Sequence, residues 1–293
     1  MVKSKGLGPR GEPRRLGVHT SIAGGVHLAL DRARELGCNT MQIFSHNPRQ
    51  WAVADIPREI AARFIESKKA CGISPVFVHS SYLINLAAAD AVILAKSIEL
   101  LKRELDLADA LEADYVVVHT GSASGESASE GRRRAVEALR KISCDGSWNA
   151  GILLENTAGE RGDITSHIED LAWIINEVNS QLIAGITFDT CHAFAAGYDI
   201  ADGKALSGLI DKIDKLTGLD KVKLIHMNDA KKGLGSGVDR HWHIGEGEIG
   251  VRGLAGFVNH PAFRNVPLIL ETPKKSEEDD LRNLKVVRGF LGN

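Results

Sequence analysis

A chain of 293 residues with 36 Lys and Arg against 38 Asp and Glu has a formal charge of -2, and 43% of its residues are hydrophobic. That is apolar material for one sizeable core, and a near-zero balance leaves any contact with phosphates to local patches rather than to a global field. No run approaches the roughly 18 consecutive apolar residues of a membrane span, and Cys38, Cys71, Cys144 and Cys191 lack the C-x-x-C spacing of a thiolate zinc site or the density of a disulfide framework.

Residues 1–15 scatter Lys3, Lys5, Arg10, Arg14 and Arg15 among Gly and Pro with no apolar run behind them, which reads as a flexible basic tail and not as a signal peptide. A soluble protein of the reducing cytoplasm is therefore expected, with residues 16–293 as its one catalytic domain. In that domain, β-rich runs recur in chain order: LGVHT (16–20), TMQIF (40–44), PVFVH (75–79), YVVVH (115–119), GILLE (151–155), GITFD (185–189), VKLIH (222–226) and PLILE (267–271). Several are apolar throughout rather than alternating, as in parallel strands covered on both faces. Helical periodicity fills 26–36, 57–71, 91–111, 131–142, 164–179 and 203–216 between them. Strand and helix alternating eight times predict a single (β/α)8 barrel of the TIM type. The alternative, an open doubly wound sheet, is disfavoured because Gly24 and Gly25 do not form a G-x-G-x-x-G turn. A glycine-rich stretch from Lys231 to Gly250 reads as a long βα loop, the usual place for function.

What ends the strands is more telling. Six in succession finish on His79, His119, Glu155, Asp189, His226 and Glu271, although only 11 of the 293 residues are histidine. Strand C-termini of a barrel all point to one face, so these side chains converge on one mouth. Two local pairs join them, Asp189 with His192 in DTCH and Asp239 with His241 in DRH. Imidazole mixed with carboxylate, without thiolate, suits Zn, Mn or Fe, and nine donors exceed the three or four that one zinc takes. Two or three ions roughly 3.5–4 Å apart are the usual apparatus for in-line displacement at phosphorus. Phosphoester hydrolysis is the predicted chemistry.

At these residues the sequence resembles the endonuclease IV family of abasic-site endonucleases. The blocks that carry the resemblance are VHSSYLINLA (78–87), LLENTAG (153–159), FDTCHAFAAGYD (188–199), HMNDAKKGLGSGVDRHWHIGEG (226–247) and LILETP (268–273), spread over about residues 16 to 290. The resemblance implies three Zn2+ ions, with Mn2+ as a substitute. His79 and His119 would bind one, Glu155 would bridge it to a second completed by Asp189, His226 and Glu271, and His192, Asp239 and His241 would hold the third. It implies metal-activated hydroxide cutting double-stranded DNA 5′ to abasic sites, with a 3′-hydroxyl and a 5′-deoxyribose phosphate as products, and removal of 3′ blocking groups. Glu155 and Glu271 would be catalytic, Glu271 orienting the attacking hydroxide. Arg49 in NPRQW would enter the DNA, and Tyr82 and Leu83 would fill the gap left by an extruded nucleotide. A monomer suits such an enzyme.

Three positions depart from the family pattern without touching a ligand: Ser81 and Thr120 stand where proline is common, and His46 is unusual before NPRQW. Spacing does not exclude His243 as a ligand, whereas His19, inside the first strand, reads as a core or supporting group. His27, His46, His167 and His260 are expected to face solvent or loops, and Lys231 and Lys232 could meet phosphates. A sugar isomerase on a similar barrel is the competing enzyme, separated from this reading by the third donor group; a binder of damaged DNA without chemistry is the competing non-enzyme.

Overall fold

Parallel strands need apolar cover on both faces, and this chain supplies it by curling its sheet closed and ringing it with helices. The computed structural model describes residues 13–292. In chain order the elements are β1 (Leu16–Val18), α1 (Leu28–Glu35), β2 (Met41–Phe44), α2 (Arg58–Cys71), β3 (Val76–His79), α3 (Ala91–Ala110), β4 (Tyr115–Val118), α4 (Ala128–Asp145), β5 (Gly151–Glu155) and α5 (Ile168–Val178). They continue with β6 (Ile183–Asp189), α6 (Thr190–Ala195), α7 (Gly203–Leu216), β7 (Val222–His226), β8 (Asp229–Ala230), β9 (His241–Trp242), α8 (Gly250–Val258), β10 (Leu268–Leu270) and α9 (Glu277–Phe290). Eight strands form one parallel sheet in the order β1-β10-β7-β6-β5-β4-β3-β2. A bridge between His19 and Gln42, with the Thr20 N–H donating to the Gln42 carbonyl at 2.7 Å, brings its two ends together. This is the expected (β/α)8 barrel.

Side chains on a strand alternate between faces. Phe77, Val117, Leu153, Leu224 and Ile269 point inward and form a fully buried plug, while their neighbours, such as Val76, Val78, Ile152 and Leu154, pack outward against the helices. Two residues beyond each plug residue lie His79, His119, Glu155, His226 and Glu271. The same alternation that builds the floor therefore aims these five side chains into the mouth above it.

Some elements were not foreseen. Five strands are shorter than their β-rich runs, β5 and β7 match theirs and β6 starts two residues earlier, while α6, α8 and α9 carry no helix in the sequence reading. Three glycines in GVRGLAGFV argue against α8 by propensity. Packing overrides this: a Cβ on Gly253 would stand 2.8 Å from the Ala201 Cβ, so glycine is what lets α8 approach its neighbour. Helix α9 is half charged, but it starts with a Ser276–Asp279 capping box and buries Leu284 and Val287 completely.

Of the expected basic tail, residues 1–12 lie outside the described residues. Arg14 and Arg15 do not behave as tail. The Arg14 guanidinium donates to the Val258 and Phe263 carbonyls, the latter at 2.6 Å, and the Arg15 carbonyl accepts from the Leu268 N–H at 2.9 Å. Backbone pairing of β1 with β10 extends to Arg15. All four cysteines are free, and no helix among the described residues is long and apolar enough to cross a membrane.

Leu153 stands directly beneath Glu155 in the plug. Leu153→Ala should lower unfolding stability by about 2–5 kcal/mol, the usual cost of emptying a core leucine site. Urea denaturation measures it, and a loss well under about 1 kcal/mol would mean the floor is not tightly packed.

Candidate metal centre

Three groups of donors form in the mouth. His79, His119 and Glu155 are one, Glu155, Asp189, His226 and Glu271 a second, and His192, Asp239 and His241 a third, each with ligand atoms within 4.8 Å of one another. All nine predicted donors are thereby brought together, with Glu155 shared between two groups. Asp189, Cys191 and His241 also lie close enough to form a set, one that the sequence reading did not consider.

Local structure explains the short spacings. Asp189 ends β6 and caps α6, its Oδ1 accepting the His192 N–H at 2.8 Å, so the three-residue spacing of DTCH is one helical turn that returns His192 to the mouth. The glycine-rich loop reaches the same place by docking its backbone on α6: Gly235 and Gly237 N–H groups donate to the Phe194 and Ala195 carbonyls, both at 3.0 Å. Gly237 adopts φ 62° only 3.2 Å, measured from a would-be Cβ, from the Gly159 carbonyl, a position that excludes side chains. His241 follows on β9, paired antiparallel with β8. The far side of the loop is gathered by buried Asp229, whose carboxylate accepts from Gly245, Gly247 and Ile249 at 2.9, 3.0 and 3.0 Å.

Hydrogen bonds at the back of each ring decide which nitrogen faces the centre. Backbone carbonyls only accept, so His79 Nδ1 donates to Ser80 at 2.8 Å, His192 Nδ1 to Asn156 at 2.9 Å and His241 Nδ1 to Glu271 at 3.1 Å. Their Nε2 atoms are left to the site, and those of His192 and His241 meet 3.3 Å apart. His226 is turned the other way. The Gln42 amide must donate to Glu271 Oε1, at 2.6 Å, so its carbonyl oxygen faces His226 Nε2, at 2.8 Å, and that nitrogen carries the proton. His226 Nδ1 then confronts Glu155 Oε1 at 2.8 Å and Glu271 Oε2 at 3.2 Å. An imidazole tethered through one nitrogen with its other nitrogen aimed at carboxylates is the arrangement of a metal ligand with its supporting shell.

Charge balance points the same way. Glu155 is fully buried, and its Oε2 makes no hydrogen bond although His119 Nε2 is 3.0 Å and His79 Nε2 3.6 Å away. Burial would raise the Glu155 pKa, but the facing His226 and His119 hold it well below the carboxylate range. Glu271 behaves alike, burial being outweighed by His226 and His19. For His226 burial works downward, yet Glu155 and Glu271 lift it from 6.5 to about 9. His192 is also raised, burial being overcome by Asp189 and Asp239, and Asp239 falls to about 2 against burial because of His192 and His241. Buried anions this close together need cations, which bound metal ions or protonated imidazoles can supply. The donor set and the orphaned Glu155 oxygen fit metal ions.

Comparison with known proteins agrees with this chemistry. A family model described as the xylose isomerase-like TIM barrel matches residues 30–288. A probable endonuclease 4 of Halothermothrix orenii is 44% identical over 265 residues, 90% of this chain and 95% of the relative. One from Methanoculleus marisnigri is 41% identical over 94% of this chain and 99% of its own length. The chain belongs to the endonuclease IV family. A crystal structure of endonuclease IV from Thermus thermophilus superposes with a TM-score of 0.84 at 37% identity, covering 95% of this chain and 99% of that one. A D-tagatose 3-epimerase-like protein shares the barrel at a TM-score of 0.71 but only 20% identity, which is a likeness of fold alone. This endonuclease IV family member is accordingly a nuclease.

The other predicted residues fall in different settings. Tyr82 is 66% exposed at the mouth, its ring 5.3 Å from that of Phe44, whereas Leu83 is half-buried against the main core and Arg49 is exposed. His243 is outside the three groups and faces the Asn283 amide at 3.2 Å. His19 supports Glu271, Nδ1 to Oε1 at 3.3 Å. His46 lies in the loop after β2, within the expectation, but its ring turns inward to buried Glu104 at 2.8 Å, because α3 places a carboxylate beneath that loop. Lys231 lies over the Trp242 ring at 3.8 Å.

Three supporting residues escaped the sequence reading: Gln42, Asn156 and Asn228. Asn156 exchanges two hydrogen bonds with the Asp189 backbone, and Asn228 donates to Asp189 Oδ2 at 2.7 Å while accepting the Glu271 N–H at 2.8 Å. The asparagines lie inside the LLENTAG and HMND blocks, one residue after Glu155 and two after His226, where a search for partners beside the predicted ligands would find them. Gln42 has no such signal. Gln42→Leu should weaken metal affinity about 10- to 100-fold by freeing the His226 ring and the Glu271 carboxylate. Competition titration against a zinc-sensitive dye checks this, and an unchanged affinity would deny Gln42 the supporting role.

A pH dependence follows from His226. A raised pKa contributes stability below 6.5 that is lost as pH rises through about 9. Chelator-treated protein should therefore melt at a lower temperature at pH 9 than at pH 6.5, and zinc should abolish the difference because ligation needs the deprotonated ring. A chelator-treated protein that melts higher at pH 9 would contradict the charge pattern of the pocket.

Proposed function

We propose that this protein hydrolyses the phosphodiester 5′ to abasic sites in double-stranded DNA, leaving a 3′-hydroxyl and a 5′-deoxyribose phosphate, and that it clears 3′ blocking groups. The observation that supports this most is the threefold grouping of nine donors around a shared Glu155 in a chain 44% identical to a probable endonuclease 4. Three Zn2+ ions, or Mn2+ in their place, are the cofactors that fit: one on His79, His119 and Glu155, one on Glu155, Asp189, His226 and Glu271, and one on His192, Asp239 and His241. Bound there, they would supply Lewis acidity for a water and positive charge for the phosphate and leaving oxygen.

The chain's own groups do the positioning. Gln42 and His19 hold Glu271 Oε1, and the Glu271 side chain keeps 15% of its surface exposed where Glu155 keeps none. Of the two glutamates, Glu271 is thus the one within reach of an entering water, and it orients that water toward phosphorus. The mouth opens into a cleft of about 710 Å³ floored by His79, His119 and Glu271 and edged by Tyr82, room for an extruded sugar phosphate. An abasic nucleotide enters cheaply because it has no base to unstack. Tyr82, exposed over the cleft, and Leu83 beside it fill the vacated space in the duplex, and Arg49 reaches the backbone at the lesion.

Incubation with a duplex bearing one abasic analogue tests the reading. Cleavage 5′ to the lesion, abolished by chelator and restored by zinc, is the expected outcome. Retention of the duplex without cutting would favour a non-catalytic lesion binder. Glu271→Gln should remain folded by circular dichroism yet cut at least about 100-fold more slowly, a loss typical of removing a group that stabilises developing charge; an unchanged rate would remove Glu271 from the chemistry.

A further inference from the structure

The two segments proposed to meet DNA belong to different loops, residues 45–51 after β2 and residues 80–84 after β3, and they are tied together from below. Glu104 lies within α3 and is 1% exposed. Its Oε1 accepts the Ser81 N–H at 2.8 Å and, since a carboxylate only accepts, a proton from His46 Nε2 at 2.8 Å. Ser81 makes the second tie: its hydroxyl donates to the Pro48 carbonyl at 2.7 Å and accepts the Leu83 N–H at 3.1 Å. Tyr82 stands between Ser81 and Leu83, and Arg49 follows Pro48. Both proposed DNA-contact segments therefore converge on one carboxylate oxygen and one hydroxyl.

A role limited to fastening α3 to the barrel does not explain this choice of residue. The buried face of α3 is otherwise largely apolar, with Leu100, Leu101, Leu105 and Leu107. Another leucine at 104 would anchor the helix without the desolvation of a carboxylate, which raises the Glu104 pKa despite His46 and the Ser81 N–H. Glu104 Oε2 and His46 Nδ1 are moreover buried without a partner, so the arrangement is held at some cost in stability. His46 and Ser81, on two different loops, share this one partner.

We infer that Glu104, bridging His46 and Ser81, is a positioning residue that holds Arg49 and Tyr82–Leu83 in one fixed relation, so that both loops engage a duplex together only where a nucleotide can leave the stack. This rests on the proposed action on abasic DNA. Discrimination then comes from a preorganised pair of contacts rather than from the cleft alone.

The test compares wild type with Glu104→Leu, Glu104→Gln and Ser81→Ala, each loaded with zinc, measuring zinc content, kcat and KM on the abasic duplex, and affinity for the same duplex without a lesion. Glu104→Leu and Ser81→Ala should raise KM and lower the preference for the lesion by roughly 10- to 100-fold, the scale of a misplacement near 1 Å, with zinc content unchanged and kcat altered less. Glu104→Gln keeps an acceptor oxygen and should retain most of the preference. Should Glu104→Leu fail to fold, His46→Leu, which removes one tie to Glu104 without touching α3, decides together with Ser81→Ala, which deletes the hydroxyl tie. Wild-type preference in the folded variants overturns the clamp while leaving the nuclease reading intact, and so does a loss confined to kcat or zinc content. A wild-type enzyme that ignores the abasic duplex removes both.

Discussion

A carboxylate without water around it sets the terms for this structure. Glu155 sits at the top of a fully apolar plug with no exposed surface, and one of its oxygens makes no hydrogen bond. Such a group persists in ionised form only among cations, and four neighbouring elements answer that demand. β3, β4 and β7 each end near an imidazole that turns a ring nitrogen toward it, and α6 adds His192 with Nδ1 3.4 Å away. The fold is committed to positive charge at this point before any substrate arrives.

Satisfying that demand without freezing the site in one protonated state depends on the groups behind the ligands. The Ser80, Asn156 and Glu271 carbonyls and the Gln42 amide each fix one ring nitrogen, so the opposite nitrogen is free for a metal ion. Gln42 links two partners at once because an amide carries a donor and an acceptor on the same plane, and it does so from β2, a strand that ends in no ligand. Closure of the barrel through the His19–Gln42 bridge is thus also closure of the hydrogen-bond circuit around Glu271.

The same division holds for the proposed DNA-contact surface. Six of the nine proposed ligands stand at the ends of barrel strands, where the plug and the sheet fix them, while Arg49 and Tyr82 ride on loops whose rigidity has to come from elsewhere. Glu104 supplies it from a helix in the outer ring. A barrel can in this way keep its metal chemistry constant and adjust its grip on the substrate by changing residues under the loops.

Much of this was legible in the chain alone. Eight alternations of β-rich run and helical segment determined the barrel, and six successive runs ending in His, Asp or Glu the position of its mouth, because parallel strands all expose the same end and alternation places five of those six donors two residues above a plug side chain. DTCH and DRH were readable for a similar reason, the first being a single helical turn. What only the tertiary structure decided were contacts between residues far apart in sequence. The proton on His226 depends on Gln42, 184 positions away, and the state of Gln42 on Glu271, a further step across the barrel. His46 is the loop residue it read as, but nothing near it in sequence reveals the carboxylate that α3 brings beneath it. Glycines in α8 spoke against a helix until Ala201 was seen pressed against Gly253. Local periodicity encodes which way a side chain points; hydrogen-bond partners and close packing are settled only when distant segments meet.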